Sequence, residues 1–386
     1  MFLIIYFIHF ISLFSTSNNT PFDAQTIDDQ VEIGYGIVLG DVDGDKKPDI
    51  LLADKKQFVW YRNGDWKRFV MIENLTQSDN VCIAAKDIDG DGKVEVAVGA
   101  QWNPSETTDK NKSGSVHFLI RPKDPTQIWS AVELYHEPTI HRMRWIQLAD
   151  KSYSLGVLPL HGIENKGGQG KTVNMLFFKY PDLLKKREPD FIFDTKMHLT
   201  HNFQHVSKTN FNEGIYIVGK EGIVHLKPPV NQNSETPVLQ LPQFQGAGEI
   251  SVGKLPGGSS YTATIEPMHG NNLVIYSKNL SERKVLDSML KEGHALQSAD
   301  VLGLGYDQLI AGWRNPDSDG KVGIRLYTRI QNSKDEWTSQ WIDENGMACE
   351  DLQVMDLNGD GKLDIVASGR ATHNLKIYWN RSAGKK

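Results

Sequence analysis

Short apolar runs recur along the chain at a nearly constant interval, each bounded by turn-forming residues. They are Ile50–Ala53, Val96–Gly99, Leu155–Leu158, Ile215–Val218, Tyr261–Thr264, Leu309–Trp313 and Ile365–Ser368. Runs this short, flanked by Gly, Asp and Ser, read as strands buried on both faces and not as helices. Their starts lie about 52 residues apart, a period that suits four-stranded propeller blades. In the sixth unit the run is followed by a third strand at Lys321–Tyr327 and a fourth at Trp337–Ile342. The last unit stops after a third strand at Leu375–Trp379, and an orphan strand at Phe22–Ile27 precedes the first unit. The pattern predicts an all-β fold, a seven-bladed β-propeller in which the N-terminal strand closes the last blade and leaves no open sheet edge.

Ahead of this pattern, Phe2 to Phe14 is an apolar run followed by Ser15, Thr16 and Ser17. It is too short for a membrane span and reads as a secretory leader cleaved near Ser17, which predicts a secreted, periplasmic or extracellular protein with no span after cleavage. The expected organisation is a signal peptide over 1–17, one propeller domain over 22–380 and a tail over 381–386. Of the 386 residues, 39% are hydrophobic and 23% charged, which excludes a multi-span membrane protein and a disordered chain. A formal net charge of −6 argues against a nucleic acid partner. Cys82 and Cys349 are the only cysteines and read as two buried thiols.

Three loops share one nine-residue design. They run from Asp41 through Asp43, Gly44 and Asp45 to Asp49; from Asp87 through Asp89, Gly90 and Asp91 to Glu95; and from Asp356 through Asn358, Gly359 and Asp360 to Asp364. Oxygen side chains at positions 1, 3, 5 and 9, with glycine at the bend, are what a short loop offers a hard cation, so Ca2+ is the expected occupant. The competing reading is an Asx-rich turn that binds nothing. A degenerate sixth-unit loop from Asp300 to Gln308 keeps the spacing and the first aspartate but has Leu302, Leu304 and Gln308 at positions 3, 5 and 9.

These aspartate loops resemble the FG-GAP or VCBS repeat, found in integrin-type binding propellers and in secreted bacterial proteins. A second resemblance rests on Pro159-Leu160-His161-Gly162, Ile265-Glu266-Pro267-Met268-His269-Gly270, Gly293-His294 and Gly369-Arg370-Ala371-Thr372-His373-Asn374. It is to the propeller domain of the aldos-2-ulose dehydratase/isomerase family and, more distantly, to propeller lyases that cut uronate-containing glycans. It spans the chain after the leader and implies dehydration, or β-elimination, on a keto-sugar. The isomerase activity that the family links to cupin domains is not implied, since these 386 residues leave no room for such domains.

Blade topology sorts the candidate chemistry. The turn between strands one and two lies on one face of the ring; the start of strand one and the loop after strand two lie on the other. All the aspartate loops fall on the first face. His294 and Glu350 stand six residues before Asp300 and Asp356, at the start of strand one, and His141 and His201 occupy the same place in units three and four after a one-residue shift. His161, His269, Arg314, Arg370 and His373 fall on the loops after strand two. These nine residues are predicted to line one funnel around the mouth of the central channel, where convergent titratable groups define a site.

Two chemistries suit the cluster. A neutral histidine acts as base while arginine holds a carboxylate or oxyanion, or several histidines bind a divalent transition metal such as Zn2+ or Mn2+ that polarises the carbonyl. The expectation is a secreted carbohydrate-active lyase or dehydratase. The alternative is a non-catalytic, calcium-stabilised propeller that binds a glycan or a protein.

Overall fold

The computed structural model describes residues 20–383 apart from 208–212, 228, 229, 232, 240, 278, 331, 332 and 334. The predicted leader therefore lies outside the described residues. Seven antiparallel sheets form a ring, with strands running from the channel outward in chain order except that the outermost strand of the seventh comes from the start of the chain. The innermost strands are Gly36–Gly40, Cys82–Lys86, Ile140–Gln147, Thr200–Val206, Glu249–Lys254, Gly293–Ala299 and Cys349–Met355. Second strands begin at Asp49, Glu95, Tyr153, Gly214, Ser260, Gln308 and Asp364, within two residues of the apolar runs. Almost every residue in them is buried. Each is sandwiched between neighbouring blades, which explains why continuous hydrophobicity, without alternation, marked them.

The strand Phe22–Asp28 pairs antiparallel with Asn374–Asn380 as the outer strand of blade seven. Ring closure is thus non-covalent. Blade four departs from the expected pattern: it has three strands among the described residues, ending at Ile223–Leu226. Beyond that edge Leu239 forms an isolated bridge with Ile223, and the Thr236 hydroxyl donates to the carbonyl of His225 at 3.3 Å.

A repeated polar clamp ties blade to blade outside the core. The hydroxyl of Tyr61, on the third strand of blade one, donates to Asp28 of blade seven at 2.6 Å. Tyr327 of blade six donates to Asp287 of blade five at 2.7 Å, and Tyr378 of blade seven donates to Asp343 of blade six at 2.7 Å. A cation completes each set, Arg68, Arg325 and Lys376 respectively. Cys82 and Cys349 are buried free thiols, as expected.

Removing one such hydroxyl leaves a buried carboxylate short of a donor. Tyr327→Phe and Tyr378→Phe are each expected to lower the free energy of unfolding by about 2 kcal/mol, read from urea transitions. Losses under about 0.5 kcal/mol, the scale of an ordinary surface substitution, would show that the clamps contribute nothing to blade adhesion.

Candidate functional site

Four of the seven innermost strands carry a β-bulge near their first residue, and the extra residue in each is a candidate site residue. In blade three Ile140 faces Pro159 and Arg142 faces Leu158, so His141 has no partner across the sheet. The same skip isolates His201 in blade four, His294 in blade six and Glu350 in blade seven. A bulge turns its extra side chain out of the sheet's alternation. Here the turn aims into the channel, in the two units that needed the one-residue shift and in the two that did not.

Each bulged histidine is fixed by the next blade. Nδ1 of His141 lies 2.8 Å from the carbonyl oxygen of His201, that of His201 2.8 Å from Gly248, and that of His294 2.6 Å from Glu350. A carbonyl only accepts, so Nδ1 carries the proton and Nε2 keeps a lone pair facing the channel. His269, on the loop after the second strand of blade five, brings its Nε2 to 2.7 Å from Nε2 of His201. Gly248 makes room for this approach: a Cβ there would stand 3.2 Å from the amide nitrogen of His269 and 3.5 Å from Nδ1 of His201. Ring centroids of His201 lie 4.5 Å from His141 and His269 and 5.2 Å from His294. One ring nitrogen each from His201, His269 and His294 falls within 4.8 Å of the others, an arrangement able to hold a metal ion.

The imidazoles sit deeper than the rim that the sequence suggested. His141, His201 and His294 are 6%, 1% and 4% exposed. Burial, reinforced by the guanidinium of Arg142, pushes His141 and His201 well below the usual histidine range; burial and Arg314 do the same to His294. His269 is pushed down to about 2, chiefly by burial. All four are neutral at pH 7; with Nδ1 of His201 protonated, the 2.7 Å contact makes Nε2 of His269 the donor and Nε2 of His201 the acceptor, a hydrogen bond that a ligand ion would replace.

Next to the rings lies a charged group. Glu350, 2% exposed, accepts from Arg314 at 3.3 Å and from Arg370 at 3.0 Å. The Arg370 guanidinium stands 5.5 Å over the ring of Tyr35, whose hydroxyl donates to Asp79. Trp102 packs 5.2 Å from His141. Beside the rings, Glu249 is buried; its Oε2 accepts from the Asn202 side-chain amide, while its Oε1 lies 3.1 Å from Nδ1 of His201 without a hydrogen-bond donor. Burial pushes its carboxyl up to about 7.

Two predicted members stand apart from the four rings. His373 turns Nδ1 onto the carbonyls of Val31 and Glu32, tying blade seven to the segment before blade one. His161 lines a separate cleft between the loops that start at Pro104 and His161. They share a face with the cluster, as topology required, but not its depth. Arg142, Glu249 and Tyr35 escaped the sequence reading. Arg142 follows His141 directly and was open to discovery once the bulge was assumed; Glu249 opens an unbulged strand and carried no such signal.

On the opposite face the three aspartate loops share one backbone arrangement. Both oxygens of the first aspartate receive amides of positions 4 and 6, as Asp87 does from Gly90 at 2.7 Å and Gly92 at 3.1 Å. The ninth carboxylate accepts the amide of position 2, in Asp49, Glu95 and Asp364 alike. Carboxylate oxygens of Asp41, Asp43 and Asp45, and of Asp87, Asp89 and Glu95, lie within 4.8 Å of one another. The third loop carries Asn358 at position 3, an amide oxygen in place of a carboxylate. In the acid-poor sixth loop Gln308 receives the Leu302 amide at 2.8 Å, so the turn itself folds without the full acidic set.

Comparison with known proteins agrees with this geometry. The fold is a seven-bladed β-propeller. Residues 17–98 match the FG-GAP-like repeat. No curated protein matches the chain in sequence. Among solved structures, it is similar to BBS1N from a complex with ARL6DN soaked with lead, at TM-score 0.58 and 13% identity over 94% of this chain and 97% of that one. Saccharomyces cerevisiae Sqt1 is similar at TM-score 0.55 and 12% identity, over 94% of this chain and 98% of that one. The extracellular domain of the putative hybrid two component system BT4673 from B. thetaiotaomicron gives TM-score 0.55 and 13% identity, over 94% of this chain and 40% of that one. These likenesses establish the fold alone.

Proposed function

We propose that the propeller is a metal-dependent carbon–oxygen lyase that performs β-elimination on a keto-sugar or a uronate-containing glycan, exported by its N-terminal leader. The observation that carries this reading is the convergence of His201, His269 and His294, two of them with Nδ1 locked on a carbonyl of the next blade. Neutral imidazoles anchored in this way suit Zn2+ or Mn2+, and an orienting acceptor on the far nitrogen is the usual companion of a histidine ligand. When bound, the ion supplies Lewis-acid stabilisation of the negative charge that gathers on the substrate's carbonyl or carboxylate oxygen.

His141 is the one ring of the four outside that group, and its Nε2 is engaged only by a long 3.3 Å contact from Arg142. It takes the proton α to the carbonyl; the electron pair of the broken C–H bond forms the C=C bond, and the C–O bond at the β carbon breaks. Burial and Arg142 depress its pKa, so the imidazolium formed is acidic and returns the proton to the departing oxygen. Arg314 and Arg370 turn from Glu350 toward the substrate's carboxylate, for which a guanidinium fork is shaped.

A second reading, a non-catalytic binding propeller for a glycan or a protein, draws on the fact that both arginines are already paired, Arg314 with Glu292 and Glu350 and Arg370 with Glu350. The deciding experiment is metal analysis of the purified protein combined with a screen of keto-sugars and uronate glycans for absorbance of unsaturated product. Activity should vanish on chelation and return with zinc or manganese. A metal-free protein that binds sugars without forming product establishes the binding module instead.

The pH profile follows from the depressed pKa values. A base whose pKa lies well below 6.5 stays unprotonated through neutrality, so kcat/KM should hold constant from pH 8 down past pH 6 and fall only in stronger acid. An acid limb centred between pH 6 and 7 would contradict His141 as the base.

The aspartate loops fit Ca2+ as a stabilising ion, with loop amides already holding the carboxylates in place. Asp89→Ala should lower the melting temperature and the bound calcium while leaving kcat unchanged, because the loop lies on the face opposite the histidines. Loss of kcat with melting temperature and calcium content intact would overturn the assignment.

A further inference from the structure

The cleft lined by His161 borders the histidine cluster. Its volume is about 450 Å³, inside the ~300–1,000 Å³ range of small-molecule sites. One wall is the loop Pro104–Thr108 and the other includes His161, Asn165 and Lys166. Both walls lead back to the cluster. Trp102, two residues before Pro104, packs on His141. The amide of His161 donates to the hydroxyl of Thr139, two residues before His141, and His161 bridges Leu199, two residues before His201.

The walls are held by their own bonds. Oε1 of Glu106 accepts from the hydroxyl and amide of Thr108 and the amide of Asp109, and the Thr107 hydroxyl donates to the carbonyl of Asn165. Glu164, the other carboxylate nearby, pairs with Lys171 at 3.0 Å. A ring nitrogen and a cation remain uncommitted. Nδ1 of His161 is buried without a hydrogen-bond partner. The Lys166 ammonium has no ion pair among the described residues. An uncommitted ring nitrogen and an uncommitted cation in a polar cleft match the hydroxyl and carboxylate of a sugar acid.

We propose that this cleft is a second sugar subsite, binding the uronate residue adjacent to the one held at the histidine cluster, so that the protein takes a uronate oligosaccharide in preference to a free monosaccharide. The inference rests on the carbohydrate reading above. Lys166 pairs with the carboxylate of the second residue and His161 exchanges a hydrogen bond with one of its hydroxyls. Trp102 separates the two sugar positions.

Calorimetry of the zinc-supplemented full chain with mono-, di- and tetrasaccharides of galacturonate, mannuronate and glucuronate tests this. In at least one series the tetrasaccharide should bind tenfold or more tightly than the monosaccharide. Lys166→Met and His161→Phe should each remove most of that gain, whereas Arg370→Ala should weaken every length alike. Equal affinity at all lengths, no binding in any series, or a gain untouched by both cleft variants would overturn the subsite. Length-dependent binding without unsaturated product defeats the lyase reading and leaves the subsite standing; product from monosaccharides with no length dependence does the reverse.

Discussion

The bond from a buried imidazole N–H to the carbonyl of the following blade is the interaction on which the site depends. An unpaired polar group at that depth is costly, on the order of 1–3 kcal/mol, so a histidine pointing into the channel needs an acceptor. The bulges that isolate His141, His201 and His294 bring Nδ1 within reach of one. The tautomer, the ring orientation and the direction of the free lone pair all follow from that contact. Because the acceptor belongs to the next blade, the geometry of the cluster is also a measure of how the blades are rotated against one another.

Charge is layered over this arrangement. Permanent cations at Arg142 and Arg314 hold the rings neutral together with burial, and carboxylates at Glu249 and Glu350 offset those cations without touching the free nitrogens. The aspartate loops on the opposite face handle their charge differently. Their carboxylates at positions 1, 3 and 5 are exposed or half-buried and those at position 9 are buried; amides of the same turn hold the first and the last, so they shape the ends of blades and leave the channel alone.

The architecture was legible because second strands, trapped between blades, show unbroken hydrophobicity, and because topology assigns every loop to a face. Outer strands carry weaker patterns, and the expected fourth strand of blade four has no counterpart among the described residues. Face assignment placed His141, His201, His269 and His294 together correctly. It could not resolve depth, which left His161 and His373 in the same group although one lines a side cleft and the other braces the ring closure. Glu249 was invisible for a different reason: an acidic residue opening a strand looks like any other solvated charge until the neighbouring blade covers it.

Closure of the ring by Phe22–Asp28 against Asn374–Asn380 has a consequence for biosynthesis. The two strands are separated by nearly the whole chain, so at roughly 5–20 residues per second the first waits on the order of 20–70 s for its partner to be made. During that interval the third strand of blade seven does not yet exist, and Phe22 has no neighbour to cover it. Early blades can collapse as they emerge, but the circular sheet order can be completed only after Asn374–Asn380 has been made. Vectorial folding of this propeller therefore ends where it began, with the earliest strand docking last.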